Sequence, residues 1–248
     1  MKDFIISSGW FSDINNITEK GKLSNDHQKR YGGIESRSKK FSEYWLSHIL
    51  NQSILPKKIY ILDADSPEKI SNNVKNHKLV DISIQTKNFG HGVHCQKENI
   101  LCGWARGFIY GLMQAYLNDC DFVYIEQDLL LFGKDHLKNL FELMKKNKKE
   151  ICYLTGEETP QMLQQSFVII KHNYLSTFIS KLINETNHRI SEELKHYRII
   201  KNDVMWSPYK GGRQRKNLHK ENFSLQHMTK KEIDLYLKNG KIINLFHI

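Results

Sequence analysis

No apolar run in the 248-residue chain approaches the about 18 residues that a membrane-spanning helix needs. The opening MKDFIISSGWF carries an acid at Asp3, and its apolar stretch is too short for a signal peptide. A soluble, cytoplasmic protein is therefore expected. Cysteine is scarce: Cys95, Cys102, Cys120 and Cys152 form no CxxC pair. That argues against a disulfide framework and for reduced, structural thiols. The stretch HGVHCQKENILC brings His91, His94, Cys95 and Cys102 close in sequence, but structural zinc uses paired ligands at shorter spacing. Internal repeats and low-complexity linkers are absent. Acids are in deficit, 27 against 37 Lys and Arg, for a net charge of +10. This balance suits nucleic acid, an anionic membrane surface or phosphorylated small molecules, and equally a solvated lysine-rich surface. What the chain does hold is 40 % apolar residues, enough for a full core in one large or two small domains.

DFIIS (3–7), KKIYILDAD (57–65) and LVDISIQ (79–85) read as strands. Phe41, Tyr44, Trp45, His48 and Ile49 fall on one face of a helix, with His48 a hydrogen-bonded core histidine. The polar stretch from about Ser12 to Lys40 is long for a plain loop and reads as a lid, insertion or binding element. A helical pattern runs from Glu98 to about Asn118, and KDHLKNLFELMKKNKK (134–149) is a second amphipathic helix. EICYLTG and QQSFVIIK are further strands, with helices at about 173–184 and 191–200. GGRQRK reads as a flexible basic turn. TKKEIDLYLKNG is a helix opened by Thr229 and stopped by Gly240. Alternating strands and helices predict a mainly parallel α/β sheet, whose ligands bind at the carboxyl ends of the strands.

The chemistry concentrates in DFVYIEQDLLLFG (121–133). Glu126 and Asp128 interrupt the most apolar run in the chain. If that run is one strand, both carboxylates face one side with roots about 7 Å apart. Two like charges buried together call for a cation or a proton. Mn²⁺ or Mg²⁺ suits one or two carboxylates plus substrate phosphates. An acid at a strand end, such as Asp63 or Asp65, can accept from a ribose hydroxyl.

The ordered set FIISSGW, YILDAD, EQD and QHM resembles the GT-A glycosyltransferases, enzymes that use nucleotide-sugar donors and carry an acid-x-acid motif after an apolar strand. YIEQD is similar to that motif, with Glu126 in place of the more usual first Asp, one methylene longer, acting on the metal directly or through its water shell. The resemblance implies a single-domain GT-A (Rossmann-like) mixed sheet, mainly parallel and flanked by helices. Residues about 1–128 would be the nucleotide-binding half, and about 129–248 the acceptor-binding half with the basic loop. It implies a metal-dependent, inverting glycosyltransferase with a UDP-sugar donor and a hydroxyl acceptor on a glycan, lipid or protein. Ser8, Gly9, Trp10 and Asp63 would hold the nucleoside, with Gln127 in the donor site. Arg106 would stand near the diphosphate or donor sugar. His227 would complete a metal shell begun by Glu126 and Asp128.

Two further needs follow from the chemistry. The leaving diphosphate wants cations, which Lys210, Arg213, Arg215 and Lys216 supply beside two glycines. Inversion needs a base, for which Glu192 and Glu193 at a helix start are candidates and Glu157 and Glu158 rivals. By its place in the family pattern Glu193 is preferred. The alternatives are a sugar-nucleotide nucleotidyltransferase, of whose Gly-rich loop SSGWFSD is a poor version, and a basic nucleic-acid-binding module. The latter wants aromatics interleaved with basics on one surface, so no nucleic-acid partner is expected. The basic surface leaves peripheral membrane contact open.

Overall fold

A computed structural model describes residues 2–13, 34–89, 92–156, 162–200, 203–213 and 216–246. The apolar runs become strands and the 3.6-period stretches become helices. In chain order they are β1 (Phe4–Trp10), a 3-10 turn (Ile34–Arg37), α1 (Lys39–Leu50), β2 (Lys58–Asp63), α2 (Asn72–Lys75) and β3 (Val80–Ile84). Then come α3 (Gly92–Glu98), α4 (Gly103–Leu117), β4 (Asp121–Ile125), β5 (Leu129–Phe132), α5 (His136–Lys146), β6 (Ile151–Gly156) and β7 (Met162–Ile170). The chain continues through α6 (His172–Asn184), α7 (Glu192–Ile200), β8 (Val204–Trp206), β9 (Gly211–Gly212), β10 (Phe223–Gln226) and α8 (Lys230–Lys238). No described helix is long and apolar enough to cross a membrane.

One mixed sheet of seven strands runs β3-β2-β1-β4-β7-β6-β8. β1 pairs in parallel with β2 and β4, and β3 extends the parallel side beyond β2. β7 is antiparallel to both β4 and β6, while β8 runs parallel to β6. A second sheet of three strands, β5-β10-β9, sits beside it.

β4 shows why its sequence is apolar after Asp121. Val123 and Ile125 point into a core with Phe41, Trp45 and Leu140, and Phe122 and Tyr124 into another with Phe108 and Leu112. A strand buried on both faces reads as a continuous run rather than an alternation. α4 lies directly on β1 because Gly107 and Gly111 face it. A Cβ on Gly107 would meet Gly9 Cα at 2.6 Å, and one on Gly111 would run into the Ser7 side chain.

Several expectations are corrected. The helix expected over 98–118 begins only at Gly103, as α4, because Glu98 ends the separate helix α3 and Asn99 turns left-handed at φ 56°. β1 continues through Gly9 and Trp10. Gly211 and Gly212 are buried and pair with Ser224 and Leu225, so they are pinned in a sheet rather than forming a free hinge. Thr229 does open α8, through a capping box with Glu232, and Gly240 ends that region at φ 63°. All four cysteines are free and buried. His91 and most of the polar stretch 12–40 lie outside the described residues.

His48 is a core residue, as its helical face predicts. Its Nδ1 donates to Leu131 O at 2.7 Å, and its Nε2 accepts from Ile243 N at 3.2 Å. Burial lowers its pKa to about 4, as it does for His136, and burial with Lys195 nearby lowers His196 to about 3. The unfolded chain would protonate first, near 6.5. Stability from these three is therefore complete above that pH and lost as pH falls toward 4. By pH 5 each has lost on the order of 2 kcal/mol. Glu126, whose pKa is raised to about 8, acts in the opposite sense and offsets about one of the three. We expect the urea midpoint to drop clearly between pH 7 and pH 5. A flat profile would contradict the buried, neutral histidines.

Candidate active site

β4 ends at Ile125, and Glu126 N makes one more sheet bond, to Ser166 O at 2.8 Å. The chain then turns, closed by Leu129 N donating to Glu126 O at 3.0 Å, and enters the second sheet as β5. The two acids therefore sit on a turn, which corrects the strand alternation expected for them. They still converge, because one amide joins them. Gln226 Nε2 donates to Glu126 Oε2 at 2.8 Å and to Asp128 Oδ1 at 3.0 Å. The turn is braced by Trp45 Nε1, which donates to Glu126 O at 3.2 Å.

Asp128 is fully buried behind this turn, and its Oδ2 accepts no hydrogen bond. His227 Nε2 stands 3.3 Å from that oxygen and Arg37 Nη2 3.7 Å. His227 holds its position in a left-handed conformation at φ 54°, the kind of outlier that collects at functional sites. Burial first, then the charge of Asp128, raise the Glu126 carboxyl to about 8, against the pull of Arg37, Arg213 and the Gln226 bond. Like charge crowded in low dielectric keeps a proton on one acid unless a cation takes its place.

Glu126, Gln226, His227 and Arg37 floor a cleft of about 630 Å³ at the carboxyl ends of β1, β2 and β4. Gly9, Trp10, Phe11 and Ala64 form one wall, Glu192 and Glu193 line it from α7, and Arg213 and His227 from the β9–β10 side. Gln127 clamps the end of β1 to the acid turn: its Oε1 accepts from Phe11 N at 2.5 Å and its Nε2 donates to Phe11 O at 2.9 Å.

The expected site residues divide accordingly. Gly9, Trp10, Glu126, Gln127, Glu192, Glu193, Arg213 and His227 line one cleft. Asp128 stands just behind them. Ser8 is fully buried within β1, outside the cleft lining. Asp63 is buried too, its Oδ1 accepting from Ser66 N, three residues on, at 2.8 Å. Arg106 donates from Nε to Leu101 O at 3.0 Å and lies 3.5 Å over the Phe89 ring, likewise outside the lining. Arg215, Glu157 and Glu158 lie outside the described residues. Gln226 and Arg37 were not anticipated. Gln226 opens the QHM motif itself, which could have drawn attention to it, and nothing local marks Arg37.

Among the described residues no three His, Cys, Asp or Glu side chains are grouped as a metal site. The residue types nevertheless fit a divalent cation, two carboxylates and an imidazole with one buried carboxylate oxygen that accepts no hydrogen bond.

No family model matches the chain, and no curated protein matches it. Solved structures do. A mannosyltransferase, PcManGT from Pyrobaculum calidifontis in complex with GDP-Man and Mn²⁺, is similar at a TM-score of 0.50 and 11 % identity over 84 % of this chain. TarS from S. aureus gives 0.51 and 11 % over 95 %. A Bacillus anthracis structure assigned as a glucose-1-phosphate thymidylyltransferase gives 0.53 and 12 % over 100 % of this chain and 98 % of its own. This chain spans 55 % of the mannosyltransferase and 38 % of TarS. The fold is thus the expected single-domain, Rossmann-like GT-A type, a mixed and mainly parallel sheet flanked by helices.

Proposed function

We propose that this chain is a metal-dependent glycosyltransferase that moves a sugar from a nucleotide-sugar to a hydroxyl acceptor with inversion. The carrying observation is the acid turn Glu126–Asp128, joined by Gln226, on the floor of a cleft at the strand ends. In this reading the nucleoside rests on the Gly9–Phe11 wall in the first half of the chain, and the acceptor enters from the half after Asp128. Glu126, Asp128 and His227 would hold Mn²⁺ or Mg²⁺, which supplies charge neutralisation for the departing diphosphate. Arg213 supports the same charge from the β9 side. Glu193 accepts the acceptor's proton. UDP-sugars are the first donors to try.

A thermal-shift screen of UDP, GDP and dTDP, each with Mn²⁺ or EDTA, tests this reading. Stabilisation by one nucleoside diphosphate that is clearly larger with Mn²⁺ than with EDTA is expected, and no shift with any of them would reject it. Arg213→Ala should lower turnover tenfold or more, while the parent binds no oligonucleotide at physiological salt. Unchanged turnover would remove Arg213 from the site, and salt-sensitive oligonucleotide binding would favour a nucleic-acid role.

The end-to-end likeness to the thymidylyltransferase assignment gives a second reading, a sugar-nucleotide nucleotidyltransferase. β1 runs into Trp10-Phe11-Ser12 with no glycine-rich phosphate loop, which favours glycosyl transfer. Pyrophosphate release from a nucleoside triphosphate and a sugar 1-phosphate would reverse that preference.

A further inference from the structure

Arg37 ends the 3-10 turn Ile34–Arg37, and the next residue, Ser38, caps α1 by accepting from Phe41 N at 3.1 Å. Its backbone is thus fixed between two turns. The side chain, 32 % exposed, reaches into the cleft. Two features set it apart from an ordinary ion pair. Its contact with Asp128 Oδ2 is 3.7 Å, too long for a hydrogen bond. Its Nε is buried and donates to nothing, although a buried donor without an acceptor is costly. A planar fork with a buried, unused N–H is suited to a ligand that offers two or more anionic oxygens. Arg213 lines the same cleft, and both guanidinium charges act on Glu126. Two arginines from distant parts of the chain therefore flank one pair of carboxylates.

We propose that Arg37 is a diphosphate-binding residue of the donor site, acting with Arg213 and otherwise serving as the counter-ion of Asp128. This rests on the reading of the cleft as a nucleotide-sugar site. A diphosphate carries more charge and more acceptor oxygens than one carboxylate already bonded to Gln226. A small swing of the side chain would exchange the long contact for bidentate, charge-assisted bonds. Arg37 would then tie the start of α1 to the donor, and the grip on phosphate would persist in part without metal.

Isothermal titration of UDP, GDP, inorganic pyrophosphate, uridine and guanosine into the parent, Arg37→Ala and Arg37→Lys, in EDTA and in Mn²⁺, tests the assignment. For the diphosphates that the parent binds, Arg37→Ala should weaken affinity tenfold or more in both conditions. The matching nucleoside should be unaffected, and Arg37→Lys should recover part of the loss. If Arg37→Ala does not fold, Arg37→Lys and Arg37→Gln carry the same comparison, with Lys the tighter of the two. Equal affinity of parent and variants for the diphosphate would overturn the inference alone. An equal loss for the bare nucleoside would also overturn it, marking Arg37 as structural support. A folded parent that binds no diphosphate in either condition would overturn the donor-site reading and this inference together.

Discussion

On the proposed function, Asp128→Asn should lower sugar transfer by about 10³-fold or more while the chain stays folded. Asp128 is the buried member of the acid pair, with one oxygen held by Gln226 and the other facing His227 and Arg37. Asparagine keeps the shape, and its carbonyl can still accept from Gln226 Nε2. It loses the negative charge that draws cationic groups to this point and sets an amide N–H₂ toward the Arg37 guanidinium. Donor against donor in a buried site costs about 1–3 kcal/mol of stability, which a thermal melt would show as a modest shift. Loss of turnover together with loss of metal-assisted nucleotide binding is the expected pair of results. If Asp128→Asn binds nucleoside diphosphate with Mn²⁺ as well as the parent, the acid turn is not the centre of the site.

How far this site could be read from the chain depends on the range of the interactions that build it. FVYI (122–125) announces a strand buried on both faces because each of these residues must be largely apolar, a local requirement. The acids after it stand out for the same reason: charge inside an apolar run has few explanations. The turn at Glu126 was less visible. LLLF continues the run without a break, and only the switch from the large sheet to the small one separates β4 from β5. Pairing of β5 with β10 joins residues about a hundred positions apart, which no local period encodes. Gln226 reaches the acids by way of that pairing.

The same distinction separates Gly211 and Gly212 from what their sequence suggests. Adjacent glycines beside cations read as a hinge when only chain entropy is considered. In the fold, the space is so tight that a Cβ on Gly211 would run into Ser224 backbone and one on Gly212 into Gln164. Their lack of side chains serves close packing beside Gln226. Asp63 and Arg106 show the reverse case, polar residues at suggestive positions whose hydrogen bonds go to nearby backbone, Ser66 N and Leu101 O.

The neighbouring acids of α7 separate most sharply under substitution. Ser191 caps the helix, with Leu194 N donating to its Oγ at 3.2 Å, and this sets Glu192 and Glu193 in the first turn. Glu192 turns inward and accepts from Lys195 Nζ at 2.7 Å, and that lysine side chain is only 1 % exposed. Burial outweighs the lysine and raises the Glu192 pKa. Glu193 is half-buried, lines the cleft, and makes no ion pair with any described residue. In the proposed inverting transfer a base must be free to take a proton, which favours Glu193 over Glu192. Glu193→Gln should reduce kcat by about 10²-fold or more, with donor affinity and melting temperature near those of the parent. Glu192→Ala should instead strand Lys195 with His188, whose Nδ1 lies 3.0 Å from its Nζ, and cost about 3 kcal/mol or more of stability. Kinetics and melts on both variants, with the anomeric configuration of the product, distinguish the outcomes. Retention of configuration, or a Glu193→Gln variant as fast as the parent, would remove Glu193 as the base. A Glu192→Ala variant as stable as the parent would show that the buried pair does not hold α7 in place.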